Sequence, residues 1–293
     1  MLDRRIAITA LGVFVLAMAG SARTAQATVV NYPDFSNVGG LTLVGSANNT
    51  DVPGQLELTP AANGQSGAAY STTPILLGAG DSFSTQFQFQ FTNQGGINPA
   101  DGITFVLAAN PNGLGQAGSG LGYSGVPNSV ALAFDTFNNG LNDGNSSNHT
   151  YVSIDGNVAN GSPLANQAQQ NVYGNAECDF DVGYTQPGCL SNGDVWTVTI
   201  TYDGNVLNEV ISDPAENASF DAINSYAIDI ASYLGTNTAF VGFTGSTGGG
   251  YAQQNVLNWE FANTAELPVP EPGTLVLFAT AGATLVMLRR RPG

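Results

Sequence analysis

Ser82-Phe83-Ser84-Thr85-Gln86-Phe87-Gln88-Phe89-Gln90-Phe91 decides the fold class. Phe83, Phe87, Phe89 and Phe91 fall on one face and glutamines on the other, the period of two that marks a half-buried β-strand. Four rings at that spacing read as a core stripe rather than as a ligand groove. Working outward, Gly102–Ala108 and Ser129–Phe134 are more continuously apolar, as expected of strands covered on both faces. Val195–Tyr202 alternates Trp196, Val198, Ile200 and Tyr202 with threonines and then turns at Asp203-Gly204. Ala239–Thr244 and Val256–Phe261 read as two further strands, and Asp229–Tyr233 as a short helix or turn. Trp196 and Trp259 sit mid-strand in apolar alternation, which favours core packing over a sugar platform. Together these segments predict an all-β sandwich. Residues 28–264 carry no internal repeat and no charged or Pro-rich linker.

Charge narrows the function. The formal net charge is -16, there is no lysine, and every arginine (Arg4, Arg5, Arg23, Arg289, Arg290, Arg291) lies near one end. Between Thr24 and Leu288 no side chain can neutralise a phosphate, which excludes nucleic acid as a partner. Carboxylates that approach one another there need water, backbone N–H groups or a bound cation, so the composition favours a metal.

The terminal arginines flank apolar runs. Residues 1–27 combine a basic start, an apolar stretch and Ala25-Gln26-Ala27, the pattern of a secretory signal peptide cleaved before Thr28. Residues 265–293 contain Pro270-Glu271-Pro272, the apolar run Leu275–Leu288 and Arg289-Arg290-Arg291. The run is short against the ~20 apolar residues of a stable span, and the arginines would stay cytoplasmic. This tail resembles the PEP-CTERM sorting signal of Gram-negative bacteria. The resemblance implies a short membrane-targeting helix with transient inner-membrane anchoring, an exosortase-type processing enzyme as partner, and a cell that makes exopolysaccharide. In an exported chain the even pair Cys178 and Cys189 favours a disulfide over two buried thiols.

Chemistry concentrates in residues 130–157, VALAFDTFNNGLNDGNSSNHTYVSIDGN. An apolar strand runs into a loop carrying Asp135, Asn139 and Asp143, and the single histidine, His149, follows. Carboxylate, amide and backbone carbonyl oxygens are what Ca²⁺ prefers. Read alone, an Asp/Asn/Gly loop after a strand is also an ordinary turn.

The ordered set of motifs resembles an L-type lectin domain, the legume-lectin β-sandwich of jelly-roll type. It runs from Gly54-Gln55-Leu56-Glu57-Leu58-Thr59 and Phe83-Ser84-Thr85-Gln86-Phe87 through Ala100-Asp101-Gly102-Ile103-Thr104-Phe105 and Gly120-Leu121-Gly122. It continues with Phe134-Asp135-Thr136-Phe137, His149 with Ile154-Asp155, and Val241-Gly242-Phe243. Val256-Leu257-Asn258-Trp259-Glu260-Phe261 closes it. The resemblance implies Ca²⁺ held by Asp135, Asn139, Asp143 and the backbone carbonyl of Phe137. It implies a sugar site in which Asp101 accepts from two hydroxyls, Phe137 lies against the pyranose, Asn139 donates its amide, and Gly120 or its neighbour Gly118 donates a backbone N–H. It also implies a cis bond before Asp101. Two departures stand out. Ala133 replaces the glutamate with which plant members complete a second, Mn²⁺ site, leaving Asp135, Asp143 and His149 as an incomplete set. The specificity loop Gly248–Gln254 is short and Gly-rich, with Tyr251 its candidate ligand contact.

The expected function is a Ca²⁺-dependent carbohydrate-binding protein of the cell surface or extracellular matrix, its ligand a glycan or exopolysaccharide. The alternative is a structural matrix or biofilm protein that keeps the fold without sugar binding. Hydrolysis of glycosides needs two carboxylates flanking the scissile bond; no strand shows such a pair, so no enzyme is expected.

Overall fold

A computed structural model describes residues 29–140, 146–158, 169–171, 177–181 and 183–265. The leader and the arginine-capped tail lie outside the described residues. In chain order the strands are β1 (Val29–Tyr32), β2 (Leu41–Gly45), β3 (Leu56–Thr59), β4 (Ser66–Ser71), β5 (Ile75–Leu76), β6 (Phe83–Gly96) and β7 (Gly102–Ala108). They continue with β8 (Ser129–Asp135), β9 (His149–Ile154), β10 (Gln169–Asn171), β11 (Trp196–Tyr202), β12 (Val206–Asp213) and β13 (Ala218–Ala227). β14 (Thr238–Ser246) and β15 (Gly250–Ala262) complete the set. Among the described residues one α-helix, α1 (Ile230–Leu234), starts where the Asp229 side chain accepts from Ser232 N, an ordinary N-cap.

The strands form two antiparallel sheets. A 7-stranded sheet runs β1-β15-β6-β11-β12-β13 with β3 beside β15; an 8-stranded sheet runs β10-β9-β8-β7-β14-β4-β2 with β5 beside β14. The phenylalanine stripe joins them. Phe87 of β6 meets Phe105 of β7 at 5.9 Å, Phe134 of β8 at 5.7 Å and Phe243 of β14 at 4.9 Å between ring centroids. The first pair is stacked and the other two are edge-to-face, geometries that at those spacings add to the burial of ring area. Trp196 and Trp259 are buried in the same core. On the outer face of the 7-stranded sheet Gln86 donates to Thr199 Oγ1 and Gln88 to Thr197 Oγ1, both at 3.1 Å.

β7 and β8 are buried along their whole length. Their outward residues Val106, Ala108 and Ala131 are covered by Tyr123 and Val126. The loop carrying those two is fastened by Tyr70 OH to Gly113 O and by a hydroxyl pair between Tyr123 and Ser129, both at 2.8 Å. Burial pushes both phenols well above their ordinary range.

Candidate functional site

The register of the 8-stranded sheet gathers the acidic residues at one end. Gly102 at the start of β7 pairs with Asp135 at the end of β8, and Asp135 pairs in turn with His149 at the start of β9. On the other side of β7, Gly102 pairs with Ser246 at the end of β14. Asp101 therefore sits between two strand ends. Its N–H donates to Ser246 O at 3.0 Å and its carbonyl accepts from Thr136 N at 2.9 Å. The Ala100–Asp101 peptide is cis. Gly102 has φ +134, and a Cβ there would stand 2.1 Å from Phe134 O. Only glycine lets β7 begin this close to β8.

Asp135 is 2% exposed and surrounded by donors. Its Oδ1 accepts from Phe137 N at 3.0 Å, which folds the start of the loop back onto the carboxylate. Its Oδ2 accepts from Tyr151 OH at 3.3 Å and lies 3.9 Å from His149 Nε2. The buried imidazole stacks on Tyr151 with ring centroids 5.3 Å apart. Phe137 and Asn139 follow, half-buried. The carboxylate of Asp135, the side-chain oxygen of Asn139 and the carbonyl of Phe137 are hard oxygens of the kind that suit Ca²⁺. Asp143 lies outside the described residues, and among the described residues no group of three His, Cys, Asp or Glu side chains forms a metal cluster. Ala133 packs with Leu121 and Tyr151 in a small apolar cluster, so hydrocarbon stands where the plant glutamate would be.

The sequence left the backbone donor to Gly120 or its neighbour Gly118. Gly118–Gly120 forms a single 3-10 turn. Gly120 is buried, and its N–H closes the turn by donating to Ala117 O at 3.4 Å. Gly118 instead borders the acid site. A Cβ on Gly248 would stand 3.1 Å from both Asp101 Oδ2 and the Gly118 Cα. Gly248, which sequence reasoning did not single out, is thus the backbone facing the Asp101 carboxylate. Its only sequence signal is the triple glycine Gly248-Gly249-Gly250.

The expected specificity loop is mostly strand. β15 begins at Gly250, leaving Thr247, Gly248 and Gly249 as the connection from β14. Tyr251 pairs with Gly95 of β6, and its ring occupies the space above that glycine, 2.4 Å from where a Cβ would be. The structure thus places Tyr251 across β6.

Cys178 and Cys189 are joined by a disulfide, their Cα atoms 5.7 Å apart. The loop they close docks on residues 146–148. Cys178 N donates to Ser147 Oγ at 2.6 Å, Asn148 Nδ2 to Gly188 O at 2.7 Å, and Leu190 N to Asn148 Oδ1 at 2.8 Å.

Known proteins resemble this chain in sequence and in fold. The lectin alpha chain of Lablab purpureus is 28% identical over 82% of this chain and 84% of its own length. The L-type lectin-domain containing receptor kinase I.7 of Arabidopsis thaliana is 28% identical over 83% of this chain but only 36% of its own length. The chain thus spans about a third of such receptor kinases. Among solved structures, winged bean acidic lectin complexed with methyl-α-D-galactose has a TM-score of 0.66 at 23% identity, covering 81% of this chain and 98% of that one. The metal-free form of lectin I-B4 from Griffonia simplicifolia has a TM-score of 0.63 at 25% identity, covering 80% and 98%. The PEP-CTERM protein-sorting motif matches residues 268–291 and indicates a secreted protein sorted to the cell surface. The model of the legume lectin beta-barrel domain matches residues 31–259, so the chain belongs to the L-type lectin family.

Proposed function

We propose that this protein is a Ca²⁺-dependent lectin, without a catalytic step, that binds glycans at the surface or in the exopolysaccharide matrix of a Gram-negative cell. The observation that carries the reading is the pairing of strand ends that sets Asp101 beside the Asp135 loop, tied by Thr136 N to Asp101 O at 2.9 Å. In this reading Asp135, Asn139, Asp143 and the Phe137 carbonyl hold Ca²⁺, which supplies a fixed positive charge and orients the loop. Asp101, 4% exposed, accepts hydrogen bonds from two adjacent sugar hydroxyls. The bare backbone of Gly118 and Gly248 leaves its carboxylate approachable. Asn139 offers an amide donor and Phe137 an apolar ring face. A domain without lysine or arginine favours neutral, hydroxyl-rich sugars over sugar acids, because an anion would meet like charge.

Kinship to lectins and the sorting motif support this reading. A glycan array probed with the purified protein, in Ca²⁺ and again in chelator, tests it. Retention in Ca²⁺, loss in chelator and loss in Asp101→Asn at an unchanged melting temperature are expected. A folded protein that retains nothing in either buffer would favour the structural matrix role. Release of reducing ends from a polysaccharide would overturn the non-catalytic part.

A further inference from the structure

The disulfide-closed loop reaches the neighbourhood of Asp101. Phe180 N donates to Asn98 Oδ1 at 3.0 Å, and Asn98 is three residues before Asp101, so their Cα atoms are at most about 11 Å apart. Phe180 is 41% exposed, and Tyr184 packs edge-on against it with ring centroids 5.2 Å apart. Beside Asn98, Ile97 is 63% exposed. It hydrogen-bonds through its N–H to Gly249 O at 3.2 Å, next to the Gly248 that faces the carboxylate. Ile97 and the two rings thus make up an apolar rim carried by segments that are hydrogen-bonded to Gly249 and Asn98, close in the chain to Gly248 and Asp101.

That rim is held from several directions. The loop is pinned to residues 146–148 by the three hydrogen bonds described above. Its exit is pinned to β6 by Gln94, whose Nε2 donates to Ser191 O and Phe91 O at 2.7 and 2.8 Å. Aromatic side chains on a loop fixed in this way, Phe180 exposed and Tyr184 half-buried, bind at little ordering cost. In a domain lacking lysine and arginine, a ring face is also the direct means of gripping an uncharged pyranose, through its apolar C–H face.

We propose that Phe180 and Tyr184 form a second sugar subsite, taking the pyranose that adjoins the residue held at Asp101 in an oligosaccharide. This rests on the lectin reading above. The test uses the full-length protein, purified in mild detergent, on an array of single sugars and of oligosaccharides ending in the same sugars, in Ca²⁺ buffer. The double substitution Phe180→Ala, Tyr184→Ala is expected to leave single-sugar retention within about twofold while weakening the longer glycans about tenfold. Phe180→Trp, which keeps an aromatic face, is expected to retain them. Equal weakening of both classes, or of neither, overturns the subsite and leaves the lectin reading standing. A wild-type protein that retains no saccharide overturns both.

Discussion

Asp135 and Glu209 are both carboxylates buried in a sandwich that has no lysine or arginine, and their surroundings are opposite. Asp135, at a strand end, is met by a backbone N–H, a phenol and an imidazole. Glu209, midway along β12, pairs with Ile200 on one side and Ile223 on the other, and neither of its oxygens has a hydrogen-bond partner. Burial in hydrocarbon pushes the Glu209 carboxyl up to about 8. The difference teaches that depth alone does not mark an ion site. Donors arranged around an anion prepare a place for charge, whereas hydrocarbon around an acid favours keeping its proton.

The largest expected effect breaks the comparison from the Glu209 side. Its proton is held in the fold from an ordinary value of 4.5 up to about 8. The contribution to stability is therefore fully present below pH 4.5 and is lost as pH rises toward 8. The loss amounts to as much as about 5 kcal/mol. Glu209→Gln, which keeps the neutral shape, should be markedly more stable than wild type at pH 8 and indistinguishable at pH 4. Urea melts at the two pH values would show it, and a parallel pH dependence in both proteins would remove Glu209 as the cause.

On the Asp135 side, a cation that binds only the folded state stabilises it by about 3 kcal/mol at a hundredfold excess over Kd. Chelation should then lower Tm by about 5–10 °C. Asp135→Asn should lose that Ca²⁺ response while keeping the fold. A Tm indifferent to chelator would dismantle the metal assignment.

The smallest effect lies between the two cases. Asp194 and Asp213 share one donor, Asn192 Nδ2, at 2.9 and 3.0 Å. Burial first, then the neighbouring Asp213 and Glu216, raises the Asp194 carboxyl above its usual range. Its stabilising contribution is therefore present at acid pH and is lost as pH rises. Asp194→Asn should raise Tm slightly at pH 7 and not at pH 3, by less than Glu209→Gln does. A loss of stability at pH 7 would mean that the pair is worth more charged than neutral.

Much of the fold was legible because its decisive strands obey simple periods. The phenylalanines of β6 and the apolar runs of β7 and β8 announce their faces, and the acidic residues at their ends then follow from register. β12 was not legible, because its inward positions are Leu207, Glu209, Ile211 and Asp213. Two carboxyls on the buried face erase the alternation that would have revealed it. β15 was read too short because glycines look like loop. Here Gly250 allows a close backbone approach, since a Cβ on it would stand 2.1 Å from Asn98 O. The ring of Tyr251 covers Gly95 and fills the gap on the paired strand. The Cys178–Cys189 loop could be foreseen as a small ring, but its landing on Asn98 depends on contacts between residues far apart in sequence.

The absence of lysine and arginine from Thr24 to Leu288 also governs how the protein is digested. A trypsin-like protease requires a lysine or arginine in its specificity pocket. From Arg23 to Arg289 it has no bond to cut, whether the sandwich is folded or open. Such an enzyme acting at those two arginines would release the whole lectin domain as a single piece.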